Sequence, residues 1–157
     1  MSAPNPERLR LDRHCLIVLE RSLLAVAPEE GCALLLGQRC GTTLQLRRIW
    51  PCCNIWQPAQ QRPQRFQLDP REQLLAQRWG RQRQLQVLGA AHSHPRSAAI
   101  PSATDRALCL GPTLMLIRSG LLRGDAAFRA WWLPEPDASD SEPLELALEP
   151  GARDLGE

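Results

Sequence analysis

The sequence predicts an α/β domain in which helices and buried strands alternate around a mixed β-sheet. Short apolar runs at 31–37 and 85–91 have the length and composition of buried strands. The segments around them carry apolar residues at helical spacing behind residues that can cap a helix. A length of 157 residues, of which 43% are hydrophobic, fits a single core.

Composition and charge exclude several classes of function. The formal net charge of +2 is too small to indicate a nucleic-acid surface. No run approaches the roughly 20 apolar residues of a membrane span, and the first residues lack the apolar core of a signal peptide. The six cysteines have no CxxC spacing and mostly lie in apolar runs, as reduced structural thiols do. We expect a cytoplasmic protein with neither nucleic acid nor membrane as a partner.

Leu9 and Leu11 indicate a short first strand, and a helix follows it. Asp12 can cap this helix, and Pro28 closes it. The helix is predicted by apolar residues at helical spacing: Leu16, Leu19, Leu23 and Leu24.

A hairpin is expected next. Residues 31–37 form its buried strand, and residues 42–50 alternate as the partner strand across Gly41. Glu30 then lies at the mouth of a buried strand. Glu29 and Glu30 can also be explained as solvated charges between the helix and the strand.

A polar, proline-rich loop over residues 51–63 is expected after the hairpin, where it can cover a site. The loop carries the vicinal pair Cys52 and Cys53, which packing in the loop explains better than metal binding. Phe66 and Leu68 indicate a short strand beyond it.

The next helix and strand lead to a pair of histidines. Asp69 can cap a helix over residues 70–83, which has proline in its first turn. The buried strand at 85–91 then delivers His92 and His94 at its C-terminal end.

Three further elements complete the predicted domain. After an irregular loop over 95–101, Ser102 can cap a helix that contains Asp105. Strands are expected at 113–119 and 128–133.

The composition changes at the end of the chain. Residues 134–157 are strongly acidic and predict a tail that is flexible apart from one edge strand at Leu144, Leu146 and Leu148. The folded domain is therefore expected to span residues 1–133.

His92 and His94 are placed to bind one ion. Side chains in a strand alternate, so histidines two positions apart point to the same face. Asp105, thirteen positions after His92 in the first turn of a helix, can complete the set. Two histidines and one carboxylate with an open position for water are typical of a catalytic zinc site, whereas one histidine alone would more often be structural.

Such a site needs a base and a group that stabilises the oxyanion. Glu29 or Glu30 is the nearest candidate to take a proton from the activated water. The Ser102 hydroxyl can donate to the oxyanion. Ser102 and Asp105 also have a structural explanation, since S-x-x-D at a helix start is a capping box, and the two roles are compatible.

The segment HSHPRSAAIPSATD, residues 92–105, resembles the JAMM or MPN-plus motif of zinc metalloproteases. That motif consists of H-x-H, seven residues, S, two residues and D. Seven residues separate His94 from Ser102, and two separate Ser102 from Asp105, so the spacing is met in full.

A second resemblance lies upstream. PEEGCALLLG, residues 28–37, is similar to the family's P-x-E-x-x-G-x-L-x-G segment, with one alanine in place of a glycine. The match assigns the catalytic glutamate to Glu30 rather than Glu29. Asn54 and residues 66–70 also resemble family landmarks.

The resemblance implies a cytidine-deaminase-like fold, a curved mixed β-sheet flanked by helices, with one zinc ion (Zn²⁺) held by His92, His94 and Asp105. It implies a metallopeptidase or isopeptidase that uses zinc-activated water, with Glu30 as general base and Ser102 in the catalytic set. For a short bacterial stand-alone form, the implied substrate is the C-terminal tail of a ubiquitin-like or sulfur-carrier protein.

Two other functions can be weighed against this one. A non-catalytic MPN-type protein-binding module has the same fold, although such modules usually lack one or more of the metal ligands. Nucleoside deamination would need H-x-E and P-C-x-x-C segments, and the sequence contains neither. The oligomeric state stays open, with a homodimer as one option.

Overall fold

A mixed β-sheet closed into a barrel is the main feature of the computed structural model, which describes residues 3–135 and 142–151. Its strands are β1 (Arg8–Leu11), β2 (Cys32–Cys40), β3 (Thr43–Cys52), β4 (Gln86–His94), β5 (Thr113–Ser119), β6 (Phe128–Leu133) and β7 (Leu144–Pro150). The α-helices are α1 (Arg13–Leu24), α2 (Pro70–Arg81) and α3 (Ala103–Ala107). Within the described ranges, no helix is long and apolar enough to cross a membrane. The mixed α/β class predicted from the sequence is confirmed.

The strands lie in the order β1, β3, β2, β4, β5, β6 and β7, and β7 returns to β1. β1 runs parallel to β3 and β7, and β4 runs parallel to β5, while the remaining pairs are antiparallel. The hairpin of β2 and β3 turns at Gly41, whose φ of 62° is a left-handed conformation that glycine adopts without strain. The sheet expected from the sequence is thus present, and it closes on itself.

Helix α1 covers one face of the sheet. The Asp12 side chain accepts a hydrogen bond from the Cys15 backbone N–H (2.7 Å), so the predicted N-cap is present. Leu19 of α1 joins the main core, whose strand members include Leu35 and Leu116. Removal of these side chains from water stabilises the packing of the helix on the sheet.

The opposite face is covered in two places. Ala76 of α2 packs with Leu34 of β2. Ala99, in the loop before α3, packs with Met115 and Ile117 of β5. Because β4 lies between β2 and β5, its C-terminal end emerges between these two clusters.

The strand expected at Leu144, Leu146 and Leu148 is present as β7, but it does not lie at an edge of the sheet. It pairs antiparallel with β6 and parallel with β1, so it is an interior strand that closes the barrel. Leu146 is 3% exposed and belongs to the main core. The acidic residues of β7 pair with arginines of the adjacent strands: Glu145 with Arg129, and Glu149 with Arg8 and Arg10. The rest of the predicted flexible tail, 136–141 and 152–157, lies outside the described residues.

The strand predicted at Phe66 and Leu68 is wrong, because these residues belong to a loop. The backbone there is tied across the loop, where the Ile55 N–H donates to the Gln67 carbonyl oxygen (3.0 Å). Phe66 is held by its ring, which stacks on His92 with the ring centroids 4.4 Å apart. The apolar residue that indicated a strand thus packs against a candidate ligand.

Candidate metal centre

His92 and His94 lie at the end of β4, in the middle of the sheet. Ala91 faces the main core under α1, so the two histidines face the opposite side of the sheet. Both imidazoles are buried. β4 pairs with β2 and β5, and this pairing fixes the backbone from which the imidazoles project.

Asp105 comes from α3, and the cap of that helix aims its carboxylate. The Ser102 Oγ accepts from the Asp105 N–H (3.0 Å), and the Asp105 Oδ2 accepts from the Ser102 N–H (2.9 Å). This reciprocal pair is the capping box expected from the sequence. It restrains the Asp105 side chain to one orientation.

Three potential metal-ligand atoms lie close together. The Asp105 Oδ2 lies 3.0 Å from the His92 Nε2 and 3.1 Å from the His94 Nε2, and the two Nε2 atoms are 3.1 Å apart. Donors about 2 Å from a shared zinc ion lie roughly 3.3 Å from one another in a tetrahedral site. The observed triangle is close to the size that one ion requires.

Glu30 is the fourth member of the group. Its carboxylate, the two imidazoles and the Asp105 carboxylate offer ligand atoms that all lie within 4.8 Å of one another. Glu30 is 2% exposed, and its Oε1 has no hydrogen-bond partner among the described residues. Glu29 instead lies 3.9 Å from the Arg62 Nη1, at a partly exposed position. The structure thus distinguishes the two glutamates that were alternatives on spacing alone.

Ser93 holds the segment of Glu30 against β4. The Gly31 N–H donates to the Ser93 Oγ (2.8 Å), and the Ser93 N–H donates to the Gly31 carbonyl oxygen (3.0 Å). Gly31 has no room for a side chain, because a Cβ there would lie 2.5 Å from the Leu23 carbonyl oxygen. Sequence reasoning missed Ser93, although its place between the two histidines was an available signal.

Asn54 ties the covering loop to Glu30. Its Nδ2 donates to the carbonyl oxygens of Glu30 (3.0 Å) and Arg65 (2.9 Å). Its Oδ1 accepts from the N–H groups of Trp56 (3.0 Å) and Gln67 (3.1 Å). Both donors and both acceptor positions of the amide are used. The sequence indicated Asn54 only as a family landmark and did not predict this role.

The tautomer of His94 follows from its second ring nitrogen. Nδ1 lies 2.8 Å from the Ala98 carbonyl oxygen, which can only accept, so Nδ1 carries the hydrogen. Nε2 points into the group and is the nitrogen that a metal ion would bind, once it carries no hydrogen. Burial acts to lower the pKa of His94, but hydrogen bonds with Asp105 and with the Ala98 carbonyl outweigh it and raise that pKa. His92 packs under Phe66, and burial lowers its pKa, which favours the neutral ring that a metal ion needs.

The two carboxyl groups have opposite pKa shifts. Burial raises the pKa of Glu30 to about 8, with His94 opposing the rise and Asp105 adding to it. Burial also acts to raise the pKa of Asp105, but hydrogen bonds from His92 and His94 outweigh it and bring that pKa below its usual range. Neighbouring carboxyl groups with separated pKa values suit a division between a charged ligand and a proton carrier.

The donor set can bind a metal ion. Imidazole nitrogens together with carboxylate oxygens suit zinc and similar divalent ions, and the unpartnered Glu30 Oε1 leaves one buried acceptor available. Ser102 is the N-cap of α3 and is not one of the four clustered residues. Its oxygen accepts from the Asp105 N–H, and its own hydroxyl hydrogen remains for donation.

A cleft of about 670 Å³ opens beside this group. His92 and Asp105 form part of its wall, so the cleft and the group share two side chains. One side is formed by the loop after β3, with Trp56 and Phe66, and the other by the segment from α3 to β5. A molecule in the cleft would lie next to the donor atoms.

A family model described as prokaryotic homologs of the JAB domain matches residues 13–134. The chain belongs to this family. The match includes all five site residues predicted from the sequence, and it confirms the resemblance to the JAMM, or MPN-plus, proteins. β7 lies beyond the end of the matched segment.

Two solved structures of bacterial proteins are similar to this JAB-domain chain. The solution structure of a protein from Desulfitobacterium hafniense has a TM-score of 0.74 and 28% sequence identity, with 90% of this chain and 93% of that chain covered. The solution structure of a protein from Salinibacter ruber has a TM-score of 0.63 and 28% identity, with 94% of this chain and 93% of that chain covered. No curated protein matches the sequence.

Proposed function

We propose that this protein is a zinc-dependent hydrolase that cleaves a peptide or isopeptide bond. The observation that carries the proposal is the buried group of Glu30, His92, His94 and Asp105, whose ligand atoms lie within 4.8 Å of one another. The JAB-domain family includes metal-dependent isopeptidases, which supports the same reaction. We also propose that the protein has a cytidine-deaminase-like fold and acts in the cytoplasm.

The proposed metal ligands are the Nε2 atoms of His92 and His94 and the Oδ2 of Asp105. When bound, a zinc ion supplies a Lewis acid that lowers the pKa of water and polarises a carbonyl group. The Ala98 carbonyl orients His94 and the Ser102 N–H orients Asp105, so hydrogen bonds position these two ligands. The ring of His92 is held by its stacking on Phe66.

Glu30 is the proposed general base. It takes a proton from the attacking water as the water oxygen bonds to the carbonyl carbon, and it passes this proton to the leaving nitrogen as the C–N bond breaks. Glu30 is 2% exposed and its Oε1 has no hydrogen-bond partner among the described residues, so this oxygen is available to take up the proton. The Ser102 hydroxyl donates to the oxyanion that develops on the carbonyl oxygen.

The proposed substrate is the C-terminal tail of a ubiquitin-like or sulfur-carrier protein. Such a tail is flexible and can lie extended beside the metal centre. The cleft at His92 and Asp105 has room for an extended segment, and the family relationship supports the choice of substrate.

The test compares metal content and turnover in matched variants. Glu30→Gln is expected to retain about one zinc per chain and to lose hydrolysis, because an amide cannot take up the proton. Asp105→Ala is expected to lose zinc, since it removes one ligand of the set. Glu29→Gln, one position from the base, should keep both properties because Glu29 faces Arg62.

Zinc is measured by elemental analysis, and hydrolysis by mass spectrometry of fusion proteins that carry ubiquitin-like C-terminal tails. Full hydrolysis by Glu30→Gln would contradict the role of the base. A wild-type protein that takes up no zinc after reconstitution would favour the non-catalytic binding module.

A further inference from the structure

The cleft opens directly beside the proposed metal ligands. His92 and Asp105 belong both to its wall and to the proposed metal ligands. Glu30 and His94 do not line it, so the cleft extends from one side of the centre. A substrate side chain that fills the cleft therefore belongs to a substrate residue near the bond that is cleaved.

The walls of the cleft are mostly apolar. Trp56 and Phe66 line one side, and Leu108, Leu110 and Met115 line the other. Among the described residues, no arginine or glutamate lines the cleft, although the chain contains 19 basic residues. The one carboxylate present, that of Asp105, is already hydrogen-bonded within the donor group. The polar side chains Gln67, Gln73, Thr104 and Thr113 are neutral, so a charged substrate side chain would lose hydration there without gaining an ion-pair partner.

Two leucines of the cleft are exposed to solvent. Leu110 is 99% exposed, Leu108 is 55% exposed, and both belong to the lining. Large apolar side chains that stay exposed beside a candidate reaction centre are characteristic of a surface that a ligand covers. Burial of one such side chain favours binding by roughly tenfold or more.

The other wall is held in place by hydrogen bonds. The Trp56 Nε1 donates to the Gln61 Oε1 (2.9 Å), and the Arg62 Nε donates to the Trp56 carbonyl oxygen (2.8 Å). The Trp56 N–H donates to the Asn54 Oδ1 (3.0 Å). A wall that is already ordered lowers the entropy lost when a ligand binds.

We propose that the cleft selects substrates by a bulky apolar side chain, aromatic or leucine-like, on a residue next to the cleaved bond. This specificity rests on the proposed hydrolase function and narrows its substrate class. It means that a segment with only glycine beside the bond binds weakly, because glycine leaves the cleft filled with water.

The experiment measures binding rather than turnover. Blocked pentapeptides Gly-Gly-X-Gly-Gly, with phenylalanine, leucine, glycine, arginine or aspartate at X, are titrated into the zinc-loaded full chain carrying Glu30→Gln. The NMR signal of the Trp56 indole N–H reports occupation of the cleft. The phenylalanine and leucine peptides are expected to bind about tenfold or more tightly than the glycine and charged peptides.

Matched surface variants separate the cleft from general apolar adhesion. The double variant Leu108→Ser/Leu110→Ser changes the two exposed leucines of the cleft and is expected to remove most of the preference. The control Leu121→Ser/Leu122→Ser changes two exposed leucines that do not line the cleft, and it should retain the preference. All four side chains are exposed, so the substitutions leave the core intact.

Equal binding of the phenylalanine and glycine peptides would overturn the assignment, and so would a preference that survives the change of Leu108 and Leu110. Failure of the hydrolase proposal has a different signature. If the wild type binds no zinc and cleaves no peptide, a phenylalanine preference in the metal-free chain still supports the cleft assignment. If all peptides are bound and cleaved alike, the hydrolase proposal stands and the cleft assignment fails.

Discussion

At the scale of single residues, side chains of the metal centre also hold the backbone around it. The Asp105 Oδ2 faces both histidines and accepts from the Ser102 N–H at the start of α3. A carboxylate oxygen has more than one acceptor position, so the cap and the proposed ligand role occupy the same atom without conflict. Motif spacing and capping preference therefore indicate the same residues for different physical reasons.

Asn54→Ala is expected to lower the free energy of unfolding by about 2–4 kcal/mol, because four hydrogen bonds of modest net strength are lost together. Hydrolysis should fall as well, since the Glu30 carbonyl loses the donor that ties it to the loop. Urea unfolding and turnover are the measurements.

Asn54→Asp is the matched control for this prediction. The carboxylate keeps the two acceptor positions used by Trp56 and Gln67 but donates nothing to Glu30 or Arg65. It should lose at least as much stability as the alanine variant, because its second carboxylate oxygen would face the carbonyl oxygens of Glu30 and Arg65 and repel them. Unchanged stability in both variants would show that the loop is held by other contacts.

Residue spacing identified the candidates at the centre but not their supports. The order of His92, His94, Ser102 and Asp105 could be read directly, since a strand and a helix cap have fixed geometry. Phe66 could not, because its stacking on His92 joins two segments that no local pattern connects.

At the scale of elements, β7 has the largest consequence for the predicted domain boundary. A chain that ends at Pro134 lacks the strand that joins β6 to β1 and loses the buried Leu146. We expect a loss of at least about 3 kcal/mol, or about 10 °C in melting temperature. This differs from the sequence-based expectation of a folded domain over residues 1–133.

Circular dichroism during heating measures the effect of this truncation. A chain that ends at Gly151 is the control, because it removes only residues 152–157 and retains all of β7. Equal melting temperatures for both truncated chains would show that barrel closure adds little stability.

The pattern of β7 explains why its place was mispredicted. Leu144, Leu146 and Leu148 alternate with Glu145, Ala147 and Glu149, as in a strand with one solvated face. The arginines that neutralise those acids come from β1 and β6, so the charge looks unbalanced only when the segment is considered alone. Strand formation is a local property, whereas the choice of partners is not.

At the scale of the whole molecule, the proposed zinc ion would join two separate parts of the fold, β4 through His92 and His94 and α3 through Asp105. An ion that binds only the folded state stabilises it in proportion to the logarithm of its free concentration. Zinc at about a thousandfold excess over its dissociation constant should raise the melting temperature by roughly 10 °C.

Differential scanning calorimetry with and without a chelator measures this shift. Asp105→Ala supplies the comparison, since it retains the fold elements but lacks a ligand and should melt alike in both conditions. If the melting temperature of the wild-type protein is the same with and without zinc, the result would argue against a metal centre that spans these elements.

The overall class was predictable because buried strands and capped helices have strong local signals, as at residues 31–37 and at Asp12. Closure of the sheet was not, since it depends on β1 and β7 being adjacent although they stand at opposite ends of the described chain.

That adjacency has a consequence for biosynthesis. Arg10 and Glu149, which pair across β1 and β7, are 139 positions apart. A ribosome adding about 5–20 residues per second needs roughly 7 to 28 seconds to make the intervening chain. During that interval β1 has an unpaired edge, and β6 adds a second one from the time it is made until β7 follows. Such edges are the ones that chaperones shield and that neighbouring nascent chains can join. We expect barrel closure to be completed only once β7 has left the exit tunnel.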